Sequence, residues 1–379
     1  SKTYVLDFFE HVSIIIIPKY GMICMKKAGD SLNYIIIFIA SLLTGLILSA
    51  VHVILPWLFG PIIATVLLKK FTSREYRWPK WLSEIGLYIL GAQIGASFTK
   101  EIVADIQDEL LYIILISIFV ILLAIMISFV LKRFLNCSLE TAILASIPGA
   151  LNQMIVMAEE NKNANLLVVT LAQTSRILIV VLTVPFISSL LPEGVHRATI
   201  SQMPSMVEAL NIQTILLLIG AMVIAGYLYR RIHFPVPDMM GPITVLMIWN
   251  LTTGINFMIP TPLIILAQMF FGIRIGLQLY DLSYQINRQL FIGVLIQNLL
   301  LIIGTFIIVY IMNLFMHERF NDLFLSAAPG GMAQIIIVGL ETGANVAMIS
   351  SYHIFRIFII LLVVTPLLSI YLNYRARHI

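Results

Sequence analysis

The chain has 379 residues, of which 60% are hydrophobic and 11% charged, with 23 Lys and Arg against 19 Asp and Glu. No soluble fold hides that much apolar surface, so a water-soluble globule is excluded and an integral membrane protein is implied. The formal net charge of +4 sits in short basic flanks between apolar runs, a pattern that reads as membrane topology and not as a nucleic-acid surface.

Residues 1–30 contain only the short run Val12 to Ile17, stopped by Pro18, which is too brief to span and lacks a small-residue cleavage site; an interfacial or extraneous leader is expected. From residue 31 the apolar segments are 34–54, a short Gly-Pro piece at 57–68, then 82–98, 110–131, an interrupted 139–158, and 164–190. Runs such as Leu110 to Leu131 and Phe291 to Leu314 carry almost no charge and are long enough, at about 1.5 Å per residue, to cross about 30 Å of hydrocarbon. Helices are expected, not a barrel. The two cysteines, Cys24 and Cys137, are too far apart in sequence to suggest a disulfide framework or a thiolate metal site.

The second half of the chain repeats the first. The offset that brings Gly45 onto Gly226 also brings Pro56 onto Pro237 and Gly60-Pro61 onto Gly241-Pro242. Unchanged, it brings Gly91 and Gly95 onto Gly272 and Gly276, Pro148-Gly149 onto Pro329-Gly330, and Gln153 onto Gln334. One position is then lost, and the shortened offset carries Ala164-Asn165 onto Ala344-Asn345 and Arg176 onto Arg356. The expected architecture is an all-α polytopic membrane protein of two homologous repeats, 31–200 and 201–379. Each has about five crossing helices plus a Pro-Gly-interrupted helix or re-entrant hairpin. If the interrupted segment crosses, the halves are parallel; if it dips in and returns, they are inverted. The basic flanks Lys26-Lys27, Lys69 to Lys80 and Lys132-Arg133 share one side, opposite the mostly acidic Lys100 to Glu109, which puts the N-terminus in the cytoplasm. Inversion places Lys162, Arg230, Arg231 and Arg288 on the cytoplasmic side and only Arg197 and Arg319 outside, so the charge count favours inverted repeats. Both topologies leave Arg375 and Arg377 cytoplasmic.

The two interruptions carry the candidate site. Pro148 removes an amide donor and clashes with the preceding turn, and Gly149 tolerates backbone angles that other residues resist; Pro329 and Gly330 repeat this. Backbone freed in hydrocarbon must face protein or a water-filled cavity. A half-helix starting there points N–H groups and a positive dipole end inward, which suits an anionic group. Asn152, Gln153 and Gln334 add donors and acceptors beside the breaks. A kink packed by neighbouring helices is the bland alternative.

Arg176 and Arg356 lie inside the apolar segments after each break, where an unpaired charge is costly. Two roles fit: a clamp for a carboxylate or phosphate, or a cap on half-helix carbonyls or mate for Glu160 or Glu341. His353 stands three residues before Arg356, where Gln173 precedes Arg176; it is either a proton shuttle or a buried neutral histidine. Arg274, at the position of Gln93, either breaks the symmetry of the site or snorkels to the interface. The Gly91-x-x-x-Gly95 and Gly272-x-x-x-Gly276 pairs read as close-packing faces. No metal-ligand spacing, P-loop, nucleophile elbow or dinucleotide fingerprint occurs, so no catalytic residue, metal or cofactor is expected.

Ile147-Pro148-Gly149, Ala158-Glu159-Glu160, Ala164-Asn165 and Gln173-x-x-Arg176, each with a counterpart in the second half that keeps most of the pattern, make residues 34–375 resemble the membrane AbrB-like family of bacteria. Its pattern is Pro-Gly-Gly, then Ala-Glu-x-x-Gly-Ala-Asp, then Gln-x-x-Arg. This chain departs from it with Asn165 and Asn345 in place of Asp, Asn163 and Ala150 in place of Gly, and His353 in place of Gln. The loss of both Asp residues argues against cation coupling by carboxylates at those positions. The resemblance implies a bacterial plasma-membrane location. Such proteins are labelled regulators of gene expression or ammonia monooxygenases, yet they look like secondary transporters. The expected function is transport of a small anionic solute by alternating access at the paired breaks; the alternative is a membrane sensor acting on gene expression through a partner at the Lys69 to Lys80 loop. Expected partners are that solute and membrane lipid, with no nucleic acid; a homodimer is left open.

Overall fold

The computed structural model describes residues 32–72, 76–191, 204–234, 236–316 and 318–378; these form helices and the turns between them, and among the described residues there is no β-strand. The leader at 1–30, Arg197, part of the Lys69 to Lys80 loop and the division near residue 200 lie outside the described residues.

In chain order the helices are α1 (Leu32–Ala50), α2 (Pro56–Phe71), α3 (Lys80–Ala96), α4 (Lys100–Asp108), α5 (Leu110–Leu135), α6 (Leu139–Ser146), α7 (Leu151–Glu160) and α8 (Leu166–Leu190). They continue with α9 (Met206–Ala209), α10 (Ile212–Arg231), α11 (Pro237–Thr253), α12 (Thr261–Gln285), α13 (Arg288–Asn313), α14 (Phe320–Ala327) and α15 (Met332–Glu341). The last is α16 (Val346–Ile359), joined through a π turn at Ile360–Val364 to α17 (Thr365–His378). Seven of these segments are long and apolar enough to cross a membrane, so the chain is a multi-pass membrane protein. The starts of α2, α3, α6 and α7 recur at α11, α12, α14 and α15 with the same offset that relates Gly45 to Gly226, and the start of α8 recurs at α16 with that offset shortened by one. The elements therefore keep the register of the sequence match. One difference is that α12 runs unbroken where the first half has α3 and the separate amphipathic α4.

The glycine pairs set the helix packing. A Cβ at Gly91 would lie 2.6 Å from the Met239 carbonyl oxygen, and one at Gly95 2.8 Å from that of Ile243, so α3 lies against α11 with the two running in the same direction. The corresponding distances for Gly272 to Leu58 and Gly276 to Ile62 are 2.6 and 2.8 Å, placing α12 on α2 in the same way. Packing, not ligand contact, is what these faces do.

Helices α5 and α13 hold equivalent positions and run in opposite directions. Gly293 packs on Phe134 and Leu135 near one end, while Gly304 packs on Leu123 further along. Gln289 Nε2 donates to the Phe134 carbonyl at 3.3 Å at the first of these ends. Because α6 follows the end of α5 and α14 follows the end of α13, the two interrupted segments open at opposite ends of the bundle.

Each interrupted segment is a hairpin and does not cross. Ser138, before α6, donates to the Asn163 carbonyl, after α7, at 2.6 Å, and the Asn165 amide donates to Thr141 Oγ1 at 2.9 Å. The second copy repeats the latch with different chemistry: Arg319 Nη2 donates to the Gly343 carbonyl at 2.9 Å and the Asn345 amide to Asp322 Oδ1 at 3.1 Å. The arms contain 8 and 10 residues, about 12 and 15 Å of helix, so neither arm is long enough to cross a hydrocarbon layer about 30 Å thick.

Candidate functional site at the hairpin tips

The tips are where helical hydrogen bonding stops. Arm α6 ends at Ser146, Ile147 and Ala150 are extended or irregular, and Gly149 has φ +99°, a left-handed angle that suits glycine. Neither α7 nor α15 has a side-chain cap at its start, so the first N–H groups of both arms are left for other partners. Asn152 lies in the first turn of α7; its side chain is outside the described residues. Gln153 is half-buried in the same turn, and Gln334 is buried and folds back over Gly331, where an added Cβ would collide with its Oε1.

Arg176 and Arg356 reach these tips from α8 and α16 and are 3% and 2% exposed, which makes them fully buried cations. Arg176 Nη1 donates to the Ile147 carbonyl at 2.9 Å and to Gln173 Oε1 at 3.4 Å, and its Nη2 donates to the Ala145 carbonyl. Arg356 Nη1 donates to the Ala327 carbonyl at 3.1 Å and its Nη2 to His353 Nδ1 at 2.7 Å. Each guanidinium thus caps the C-terminal carbonyls of α6 or α14, where a positive charge complements the helix dipole. Carbonyls, and not Glu160 or Glu341, are the partners: Glu160 is exposed and Glu341 Oε1 accepts from Gln268 at 3.1 Å.

The histidine and the glutamine do one job. Gln173 Nε2 donates to the Leu144 carbonyl at 2.7 Å while its Oε1 accepts from Arg176. His353 Nε2 lies 3.1 Å from the equivalent Leu325 carbonyl while its Nδ1 accepts from Arg356. That pattern requires the neutral ring with its proton on Nε2.

What is left over is as informative as what is bonded. The Nε–H of Arg176 and that of Arg356 are buried and have no partner, and the same atom is left in both halves. A Cβ at Gly149 would lie 3.8 Å from Arg356 Nε and 3.5 Å from Ile360 Cδ1, so the arginine of the second half faces the tip of the first hairpin. The reciprocal approach sets Gly330 against Val180, the counterpart of Ile360. Pro148, Pro329 and Gly330 are buried, whereas Gly149 is open. Gln297 of α13 joins the cluster, its Nε2 donating to Ser146 Oγ at 2.9 Å.

The two mouths differ. At the second hairpin a cavity of about 240 Å³ is lined by polar Ser188, Arg319, Asn321, Glu341 and Thr342 beside Leu55 and Pro56. At the counterpart positions Phe234 instead stacks on Phe358 with ring centroids 5.6 Å apart, and the cavity there, lined also by Val236 and Met240, is about 10 Å³.

The sequence pattern singles out the residues that meet at the tips but not the latch pairs at the hairpin mouths or Gln297. Thr141 and Asp322 do stand at the same register position, and a search of that register for buried polar residues beside Asn165 and Asn345 would have found them. Arg274 is exposed on α12 and takes no part. Among the described residues no group of three or more His, Cys, Asp or Glu lies together as a metal site would require.

Comparisons with known proteins agree in extent. The model of the AbrB family, described as "Transition state regulatory protein AbrB", matches residues 57–371. "Uncharacterized protein YhjN" of Bacillus subtilis (strain 168) is 23% identical over 373 residues, covering 90% of this chain and 94% of that protein. "Putative regulator AbrB" of Escherichia coli (strain K12) is also 23% identical, over 333 residues, covering 86% of this chain and 92% of that one.

Proposed function

Because the chain belongs to the AbrB family and is a multi-pass membrane protein, we propose that it is a secondary transporter of a small anionic solute, bound at the tips of the two hairpins. The observation that carries this reading is the pair of buried guanidinium groups, each with an unpartnered Nε–H, beside uncapped helix starts. A purely structural arginine would be expected to spend that donor on protein. Pro148, Gly149, Asn152, Gln153 and Arg176 from the first half and Pro329, Gly330, Gln334, His353 and Arg356 from the second form the site. The division into repeats at 31–200 and 201–379 follows from the same two-fold plan.

The antiparallel α5 and α13 and the oppositely opening hairpins fit two inverted repeats, the plan in which alternating access arises by exchange of conformations between halves. Three inequalities between equivalent positions suit a molecule caught in one such state. They are the cavity of about 240 Å³ against the Phe234 and Phe358 stack, the open Gly149 against the buried Gly330, and the π turn at Ile360–Val364 against continuous helix at 180–184. The face carrying Lys69, Lys132, Arg133, Lys162, Arg230 and Arg288 is the cytoplasmic one by charge, with both chain ends on that side of a bacterial plasma membrane.

The family and one relative are named as regulators, which supports a second reading, a membrane sensor that influences gene expression through a partner. Reconstitution separates the two. The full chain in proteoliposomes is loaded with solutes chosen by thermal-shift screening of organic anions, cations and amino acids. Saturable flux, lost in Arg176→Gln and Arg356→Gln proteins that still show cooperative unfolding, is the expected result. Ligand stabilisation without any flux would favour the sensor, and full flux in both variants would remove the arginines from the site.

A further inference from the structure

We propose that the ligand of the tip site carries two negative charges. This takes the location of the site from the transport reading and adds the ligand's charge. The charges at the tips do not balance. Arg176 and Arg356 are both fully buried and converge on one hairpin tip, where Arg176 bonds the Ile147 carbonyl and Arg356 Nε lies beside Gly149. Among the described residues no carboxylate bonds to either; their Nη atoms go to carbonyls, Gln173 and His353. His353 is neutral in this arrangement because it accepts from Arg356. The uncapped starts of α7 and α15 add partial positive charge at the same depth.

Two full positive charges therefore stand together without a counter-charge, in a medium where such charges are costly. A monoanion would neutralise one and leave the other. A dianion neutralises both, and the same donor, Nε–H, is unspent on each arginine. Opposition of the two halves favours a two-ended ligand such as a short dicarboxylate, but a compact tetrahedral dianion satisfies the same charge rule. Gly149 is the exposed residue of the tip and Arg356 Nε faces it, so either ligand would approach there.

The test uses the full chain in detergent at neutral pH and measures binding by calorimetry for succinate, for butyrate, which has the same length but one charge, and for sulfate. At least one dianion should bind with an affinity about tenfold or more above that of butyrate. Succinate alone would identify the two-ended ligand and sulfate alone the compact one. Arg176→Gln and Arg356→Gln should each collapse that preference towards unity. Arg176→Lys and Arg356→Lys keep the charge and should keep most of the preference, which also guards against a folding defect in the Gln variants. Equal affinities for butyrate and both dianions, no saturable dianion binding at millimolar concentration, or an unchanged preference in Arg176→Gln would overturn the proposal. Dianion preference without flux in proteoliposomes would instead count against transport, and monoanion flux without dianion preference would count against the charge assignment alone.

Discussion

Replacing His353 separates its hydrogen-bonding role from its ring. In the native protein Nδ1 accepts from Arg356 Nη2 at 2.7 Å and Nε2 serves the Leu325 carbonyl at 3.1 Å. His353→Gln supplies an acceptor and a donor in the same order, as Gln173 already does for Arg176 and Leu144 in the first half. It should therefore change stability by less than about 1 kcal/mol. His353→Leu supplies neither. It orphans one charged donor, at about 2 kcal/mol, and one buried carbonyl, at about 1 kcal/mol, for a loss of about 3 kcal/mol. The assay is thermal or denaturant unfolding of the purified protein in one detergent, with wild type, Gln and Leu variants side by side. A Gln variant as unstable as the Leu variant would refute the reasoning, because the ring and not the bonding pattern would then be what the site requires.

Further outcomes follow from the same geometry. Gly91→Ala and Gly272→Ala each push a Cβ to 2.6 Å from a backbone oxygen, so folded yield and midpoint should fall, by about 2 kcal/mol or more. Gly220→Ala, with nothing within 4 Å, should be neutral or slightly stabilising in the same unfolding assay. Asn165→Asp should be tolerated because its neighbour across the mouth is Thr141, whereas Asn345→Asp sets a carboxylate beside buried Asp322 and should lower the unfolding midpoint. Arg274→Gln, on an exposed part of α12, should leave solute flux unchanged where Arg356→Gln abolishes it.

The breaks were legible because Pro-Gly interrupts a helix in an apolar run, and the fixed register between the halves turned two breaks into one plan. Whether the interrupted segments crossed or returned was legible only through the charge count, which favoured return, because an apolar stretch as long as 139–158 serves either purpose. The decision lies in contacts between Ser138 and Asn163 and between Arg319 and Gly343, which are distant in sequence and chemically unlike each other. The choice between clamp and cap for the arginines was open for a related reason. A buried guanidinium has five donors, and only the fold shows that the Nη groups go to carbonyls, Gln173 and His353 while Nε is left. Asn165 and Asn345 looked like lost carboxylates; they cap α8 and α16 by accepting from Val168 and Met348 at 3.1 Å, a role that Asn fills as well as Asp. The inequality of the two mouths was not read, although Val53 and Leu178 stand where the second half has the stacked Phe234 and Phe358, because nothing in the sequence brings those two positions together.

The most direct test of the account is the side from which each hairpin mouth can be reached. Lys162→Cys and Glu341→Cys, both at exposed positions beside the mouths, would be placed singly in a background with Cys24 and Cys137 replaced by Ser. They would be labelled with a membrane-impermeant maleimide in intact cells and in inverted vesicles. The account predicts that Glu341→Cys reacts only in intact cells and Lys162→Cys only in inverted vesicles. Labelling of both from the same side would contradict opposed hairpins, and with them the shared site at their tips.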